Sequence, residues 1–132
     1  MAVSPSFAAT PRIGSVSIST ADSSGTGSSF TAPTNFGTVI TGASTGTRIA
    51  EIVVKCAATS AAAIVRIFLY DGTTYWLFDE VTIAAATGSS TVQQTRVSTS
   101  YNNLILPSAS WSIRVTTSVG QTTHVTALGA DL

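Results

Sequence analysis

The chain has 132 residues, six of them Lys or Arg and six Asp or Glu, so 9% are charged and the formal net charge is zero, against about 25% charged residues in an ordinary domain. One cysteine (Cys56) and one histidine (His124) exclude a disulfide framework and a Cys/His zinc centre, and the lack of a basic excess excludes an electrostatic nucleic-acid groove. The mean hydropathy of +0.38 does not signal a membrane span. The longest unbroken apolar run is residues 61–65, far short of the roughly 20 residues a bilayer requires.

Residues 1–35 differ from the remainder. They hold Pro5, Pro11 and Pro33, a Ser/Gly/Thr run over 23–29, and one alternating stretch, Ile13-Gly14-Ser15-Val16-Ser17-Ile18-Ser19. The expectation is an extended N-terminal arm with one marginal strand. Phe7, Ile13, Val16, Ile18 and Phe30 are apolar anchors that a plain linker would not need, so the arm is expected to order on a neighbouring subunit. The N-terminus lacks a basic segment followed by an apolar one, so no secretory signal is read, and the lone cysteine fits synthesis in a reducing cytoplasm.

Residues 36–132 read as a single β-domain. Candidate strands are 37–41, 48–56, 64–70, 75–83, 91–97, 104–106, 110–116 and 124–128. In the second of these, Ala50, Ile52, Val54 and Cys56 alternate with Ile49, Glu51, Val53 and Lys55, which places both charges on one outward side. Trp111, Ile113 and Val115 alternate with Ser112, Arg114 and Thr116 in the seventh. Asp71-Gly72 between two apolar runs signals a type I′ hairpin, and no long window keeps a helical period. Short strands at this spacing predict an all-β, antiparallel β-sandwich. The absence of a cysteine pair around a tryptophan favours a jelly roll over an immunoglobulin arrangement.

No catalytic constellation survives inspection. Gly42-Ala43-Ser44-Thr45-Gly46 matches the G-x-S-x-G pattern and is followed by Asp71, Asp79 and His124, but a nucleophile elbow needs a helix directly after the serine, and a strand follows here. Asp79 and Glu80 are adjacent on a strand and point to opposite faces, which rules out a carboxylate pair. Cys56 lies on an apolar face as a small buried hydrophobe. No enzyme activity and no cofactor are expected. Trp76, Phe78 and Trp111 are expected mainly as the large residues of the core, although Tyr70, Tyr75 and Trp76 around the turn would also suit a sugar-stacking platform.

A further set of segments carries a resemblance. Phe7-Ala8-Ala9-Thr10-Pro11-Arg12, Gly46-Thr47-Arg48-Ile49-Ala50-Glu51-Ile52, Val65-Arg66-Ile67-Phe68-Leu69-Tyr70-Asp71-Gly72, Asp79-Glu80-Val81-Thr82-Ile83, Leu104-Ile105-Leu106-Pro107 and Ala127-Leu128-Gly129-Ala130-Asp131-Leu132 together resemble small structural proteins encoded in tailed-bacteriophage head gene clusters. The resemblance spans nearly the whole chain and rests on strand and turn signatures. In that family an Asn and an Arg-Asp precede Gly-Thr-Gly; here Ala21-Asp22-Ser23-Ser24-Gly25-Thr26-Gly27 lacks the arginine. The resemblance implies a virion protein assembled in the host cytoplasm, a capsid decoration (cement) protein on the outer shell. Its partners would be the major capsid protein and itself, as a homotrimer, with no nucleic acid and no membrane. Partner contacts are expected at Phe7, Pro11, Arg12, Ile13, Phe30 and Tyr75. A tail, neck or fibre component, and a carbohydrate-binding module, are the alternative readings.

Overall fold

The computed structural model describes residues 10–22 and 30–132. Eight strands follow one another: β1 (Thr10–Ile18), β2 (Gly37–Thr41), β3 (Thr47–Cys56), β4 (Ala63–Tyr70), β5 (Tyr75–Ile83), β6 (Arg96–Leu106), β7 (Ser112–Thr117) and β8 (Thr123–Asp131). They form two four-stranded sheets, β1-β8-β3-β6 (sheet A) and β2-β7-β4-β5 (sheet B). The antiparallel pairs β1–β8, β2–β7, β3–β6 and β4–β5 are those of one long hairpin with its tip at the β4–β5 turn. The pairs β8–β3 and β7–β4 roll that hairpin closed. This strand order is a jelly roll, and the molecule is an all-β sandwich.

The inner faces supply the core. Ile49, Ile52, Val54, Val65, Ile67, Ile83, Leu106, Ile113, Val115 and Val125 are all essentially inaccessible, and burial of each such side chain is worth about 1.5–3 kcal/mol. Nearly all are β-branched, which suits the pleated surface and limits the rotamer freedom lost on packing. Cys56 joins this core.

The registers put Thr41, Tyr70, Tyr75 and Ser112 at the same end of sheet B, and Thr10, Thr47, Leu106 and Asp131 together in sheet A. Arg12 Nη2 donates to the Thr41 carbonyl at 3.0 Å, tying these two ends together. The opposite end carries the long β1–β2 and β5–β6 connections.

Several local expectations are corrected. The marginal strand of the N-terminal segment is nine residues long and lies beside β8 of its own chain, with Ile13 opposite Leu128 and Val16 opposite Val125. Gly14 allows this: a Cβ there would stand 2.3 Å from the Val39 carbonyl oxygen of the other sheet. The strands expected at 91–97 and 104–106 are one strand, β6, which pairs with β3 on both sides of an irregularity at residues 101–103. A bulge between Ile49 and Glu51 turns Ile49 inward and leaves Ala50 exposed, the reverse of strict alternation. The β4–β5 turn spans four residues instead of two. Only Gly72 takes a positive φ, +99°, whereas a type I′ turn needs two such residues. The Asp71 carboxylate caps the Thr73 and Thr74 N–H groups at 2.8 and 2.7 Å and stabilises the longer turn.

Candidate interaction surfaces

The outward-facing residues of the two sheets follow from the registers. In sheet B they include Arg66 and Phe68 on β4, Tyr75 and Glu80 on β5, and Arg114 and Thr116 on β7. This face is covered. Phe68 is 0% exposed and Thr116 is buried although neither points into the inter-sheet core. The cover comes from the β1–β2 connection. Phe36 lies 4.4 Å from the Arg114 guanidinium carbon and 5.8 Å from the Tyr75 ring, and Phe30 lies 4.6 Å from that of Arg66.

Arg114 is thus held among Tyr70 (3.8 Å from the ring centroid), Phe36 and Tyr75, and it donates to the Tyr75 hydroxyl. A guanidinium stacks on aromatic faces and keeps in-plane donors available, which an ammonium cannot do. Arg66 is paired with Glu80 at 2.9 Å. The connection is pinned by buried Asp22, whose Oδ1 accepts from Thr34 N and Thr34 Oγ1, both at 3.0 Å, and from Asn35 N. The Asp22 N–H donates to the Thr117 carbonyl of β7 at 2.9 Å.

Sheet A is built differently. Across β1 and β8 its outer face presents Pro11, Ile13, Ser15 and Ser17 beside Ala130, Leu128, Thr126 and His124. No Lys, Arg, Asp or Glu stands on this half, and Ile13 is 67% exposed. Ser15 and Thr126 share a hydrogen bond at 3.0 Å. Across β3 and β6 the same face carries Arg48, Glu51, Val53 and Lys55 with Arg96, Ser98, Ser100 and Ile105. Arg48 donates to the Asn102 carbonyl, Lys55 to the Gln94 carbonyl, and Ser98 to the Glu51 carboxylate. Among the described residues, no segment is seen stacked on this face as Phe30 and Phe36 are on the other.

A third exposed feature is the free edge of sheet B. Trp76, Leu77 and Phe78 on β5 are successive and exposed, Trp76 at 54%. The expectation that Trp76 and Phe78 belong to the core is overturned. β5 is the last strand of its sheet, and the register shift between Ile67 and Phe68 gives it an extra residue, Phe78, which leans across to Tyr101 of β6 at 5.4 Å between ring centroids. Trp111 does pack against the core, just before β7. Asp79 and Glu80 point to opposite sides as expected: Asp79 accepts from the Tyr101 hydroxyl at 2.8 Å while Glu80 meets Arg66. Burial, and then the bond to Asp79 and its charge, push the Tyr101 phenol above its ordinary range.

The expected partner residues are dispersed. Phe7 lies outside the described residues. Pro11 and Ile13 are exposed on edge strand β1, a position that tolerates proline's missing donor. Arg12 is engaged within the chain, 2.8 Å from Asp131. Phe30 and Tyr75 belong to the cover of sheet B. Of the six, Pro11 and Ile13 stand on the bare face; Leu128, which faces Ile13 from β8, could be found only by knowing which strands pair. Ser44 sits in the β2–β3 turn, with β3 directly after it and no helix. Among the described residues no three His, Cys, Asp or Glu side chains cluster to hold a metal ion.

A search of protein-family models and one of curated proteins each gave no match. Solved structures do show likeness. One, of the cyanophage Pam1 capsid asymmetric unit, is 13% identical, with a TM-score of 0.46 over 98% of this chain and 91% of that chain. A particle of infectious bursal disease virus is 14% identical with a TM-score of 0.41, and the Gt strain of that virus is 14% identical with a TM-score of 0.38. Each of these two alignments covers 99% of this chain, which spans about a third of the other's length (35% and 36%).

Proposed function

We propose that this chain is a structural subunit of a bacteriophage virion, a decoration (cement) protein that binds the outer capsid surface and stabilises the shell. The observation that carries this reading is the bare β1–β8 half of sheet A, free of Lys, Arg, Asp and Glu and centred on exposed Ile13 and half-buried Leu128. Serine, threonine and alanine side chains pack against a protein neighbour without the desolvation cost of Lys or Glu. A face of that kind gives each copy a modest contact, and many copies on one shell make the total large. Jelly rolls serve capsids, lectins and cupins alike, so the fold is compatible with this reading and does not by itself select it. The sequence resemblance to phage head proteins adds the capsid surface as the location, the major capsid protein as partner and a homotrimer as the assembly.

The test is reconstitution. Shells lacking the protein are mixed with purified chain, and bound copies and the temperature of shell opening are measured. Saturable binding at hundreds of copies with a raised opening temperature supports the reading. A handful of copies confined to one vertex or to the tail overturns the decoration role in favour of a neck, tail or fibre component.

A further inference from the structure

One row of side chains runs straight across the outer face of sheet A. The registers set Ser17 of β1 opposite His124 of β8, His124 opposite Lys55 of β3, and Lys55 opposite Arg96 of β6. All four point away from the core, and His124 and Arg96 are exposed. Residues directly opposite one another have Cβ atoms only about 4.5–5.5 Å apart, and like charges so placed destabilise a sheet. No carboxylate relieves this row. The chain has six acidic side chains, and each is engaged away from it. Glu51, further along β3, accepts from Ser98, and Asp22 is buried against β7 on the other side of the sandwich. Asp71 caps its turn, Asp79 meets Tyr101, Glu80 pairs with Arg66, and Asp131 pairs with Arg12 at the far end of the sheet. Lys55 Nζ donates to a neutral group, the Gln94 carbonyl, at 2.8 Å.

We infer that the row His124–Lys55–Arg96 seats an acidic stretch of the shell's protein surface, whose carboxylates lie along it while the β1–β8 half packs against the same neighbour. Charge complementarity selects an anionic occupant, because two cations and a histidine adjoin here with no counter-charge from their own chain. The Arg96 guanidinium offers a planar fork that fits a carboxylate, and Lys55 keeps further N–H donors beyond the one given to Gln94. A protein carboxylate is favoured over a nucleic-acid backbone because the row is short and the nearest further cation on this face, Arg48, stands at the other end of β3. Continuity points to the shell: the row begins at Ser17 and His124, on the half already assigned to shell contact. Histidine changes its charge between about pH 5 and pH 8. His124 borders Ser17 of β1, Thr126 of its own strand and Lys55 of β3, so Lys55 is the one titratable group beside it. Protonation adds a third cation to the row and strengthens its hold on carboxylates. The contact rests on the proposed shell attachment and specifies the chemistry of the surface that is met.

The experiment is attachment of the full chain to shells, read as a dissociation constant across a salt series and at two pH values. Wild-type attachment is expected to weaken as salt rises from about 50 to about 300 mM and to tighten between about pH 8 and about pH 6, and His124→Asn to remove the pH increment. Arg96→Glu is expected to weaken attachment at least about tenfold. The same substitution should raise the urea midpoint of the free chain, because the new carboxylate stands opposite Lys55. A folding defect cannot move binding and stability in opposite directions. Attachment that ignores salt, or an Arg96→Glu chain that attaches as wild type does, overturns the inference and leaves the proposed function standing. So does a chain held more tightly by duplex DNA than by shells, since the row would then serve phosphates. A pH increment that survives in His124→Asn overturns the part given to His124. Shells that take up no wild-type chain at any salt sink the proposed function and this contact with it.

Discussion

The outer face of sheet B and the outer face of sheet A come from the same kind of strand, yet one is sealed by the chain's own β1–β2 connection and the other is left bare. On sheet B, Phe30 and Phe36 lie over Arg66 and Arg114, and a phenylalanine on the outside of a sheet, Phe68, is as inaccessible as any core residue. On sheet A, an isoleucine in the equivalent outward orientation, Ile13, is 67% exposed. What differs is the neighbouring chemistry. Buried Arg66 and half-buried Arg114 take aromatic cover, and such a site offers little to a second protein because its ring faces are already used. A carpet of Ser, Thr and Ala satisfies itself with short local bonds and stays available. The contrast teaches that in a chain with few charges, exposure of small polar strands is informative about partners, whereas aromatic content is informative about the chain's own closure.

The largest expected effect strikes the covered face. Phe68→Ala removes a fully buried ring that packs edge-on against Tyr75 and lies opposite Arg114, and should cost about 3–5 kcal/mol in urea unfolding, while Val53→Ala on the outer face of sheet A should cost about 1 kcal/mol or less. Equal losses would erase the distinction. Next comes the pin: Asp22→Ala strands the Thr34 and Asn35 N–H donors while keeping the backbone bond to Thr117, an expected loss of about 2–3 kcal/mol. Near-ultraviolet circular dichroism should report loosened Phe36–Tyr75 packing, and an unchanged spectrum would contradict the role given to Asp22.

A third variant separates binding from stability. Ile13→Ser with Leu128→Ser should leave the urea midpoint close to wild type, within about 1 kcal/mol, because both side chains stand on the outer face, and should abolish attachment to shells. The smallest effect belongs to the turn. N–H donation from Thr74, the Trp76 indole and Thr73 lowers the Asp71 carboxyl below its ordinary value. A depressed folded-state value means the stabilisation is present above the unfolded carboxylate range and lost as pH falls through the lowered value. Asp71→Asn should flatten that acid limb slightly, and an unaltered acid profile would show that the cap adds nothing. Trp76→Ala checks the carbohydrate alternative on a glycan array: wild-type binding lost in the variant would favour a lectin-like role.

Much of the architecture is legible in the sequence because alternation of Val, Ile and Leu with Ser and Thr marks strands whose one side is buried. The register is not legible at bulges. One extra residue at Ala50 and another at Phe78 reverse which neighbours face inward, and no residue type announces a bulge when glycine is absent. Edge position is equally hidden. Trp76 and Phe78 have core composition and become exposed only because β5 has no strand beyond it. Phe30 stands out in the sequence as an apolar anchor, but the face that it and Phe36 cover depends on the sheet order. The dispersal of the expected partner residues has the same cause: nearness in a jelly roll is set by pairs such as β1 with β8, separated by nearly the whole chain.

In the proposed assembly the β1–β8 half of sheet A is buried against the shell. Thiol-labelling rates test it most directly, since Cys56 is buried and silent. Ser15→Cys reports the bare face, and Thr82→Cys reports an exposed site on sheet B. Attachment to shells should slow labelling at position 15 at least about tenfold and leave position 82 nearly unchanged. Equal labelling of position 15 in free and attached protein would contradict it.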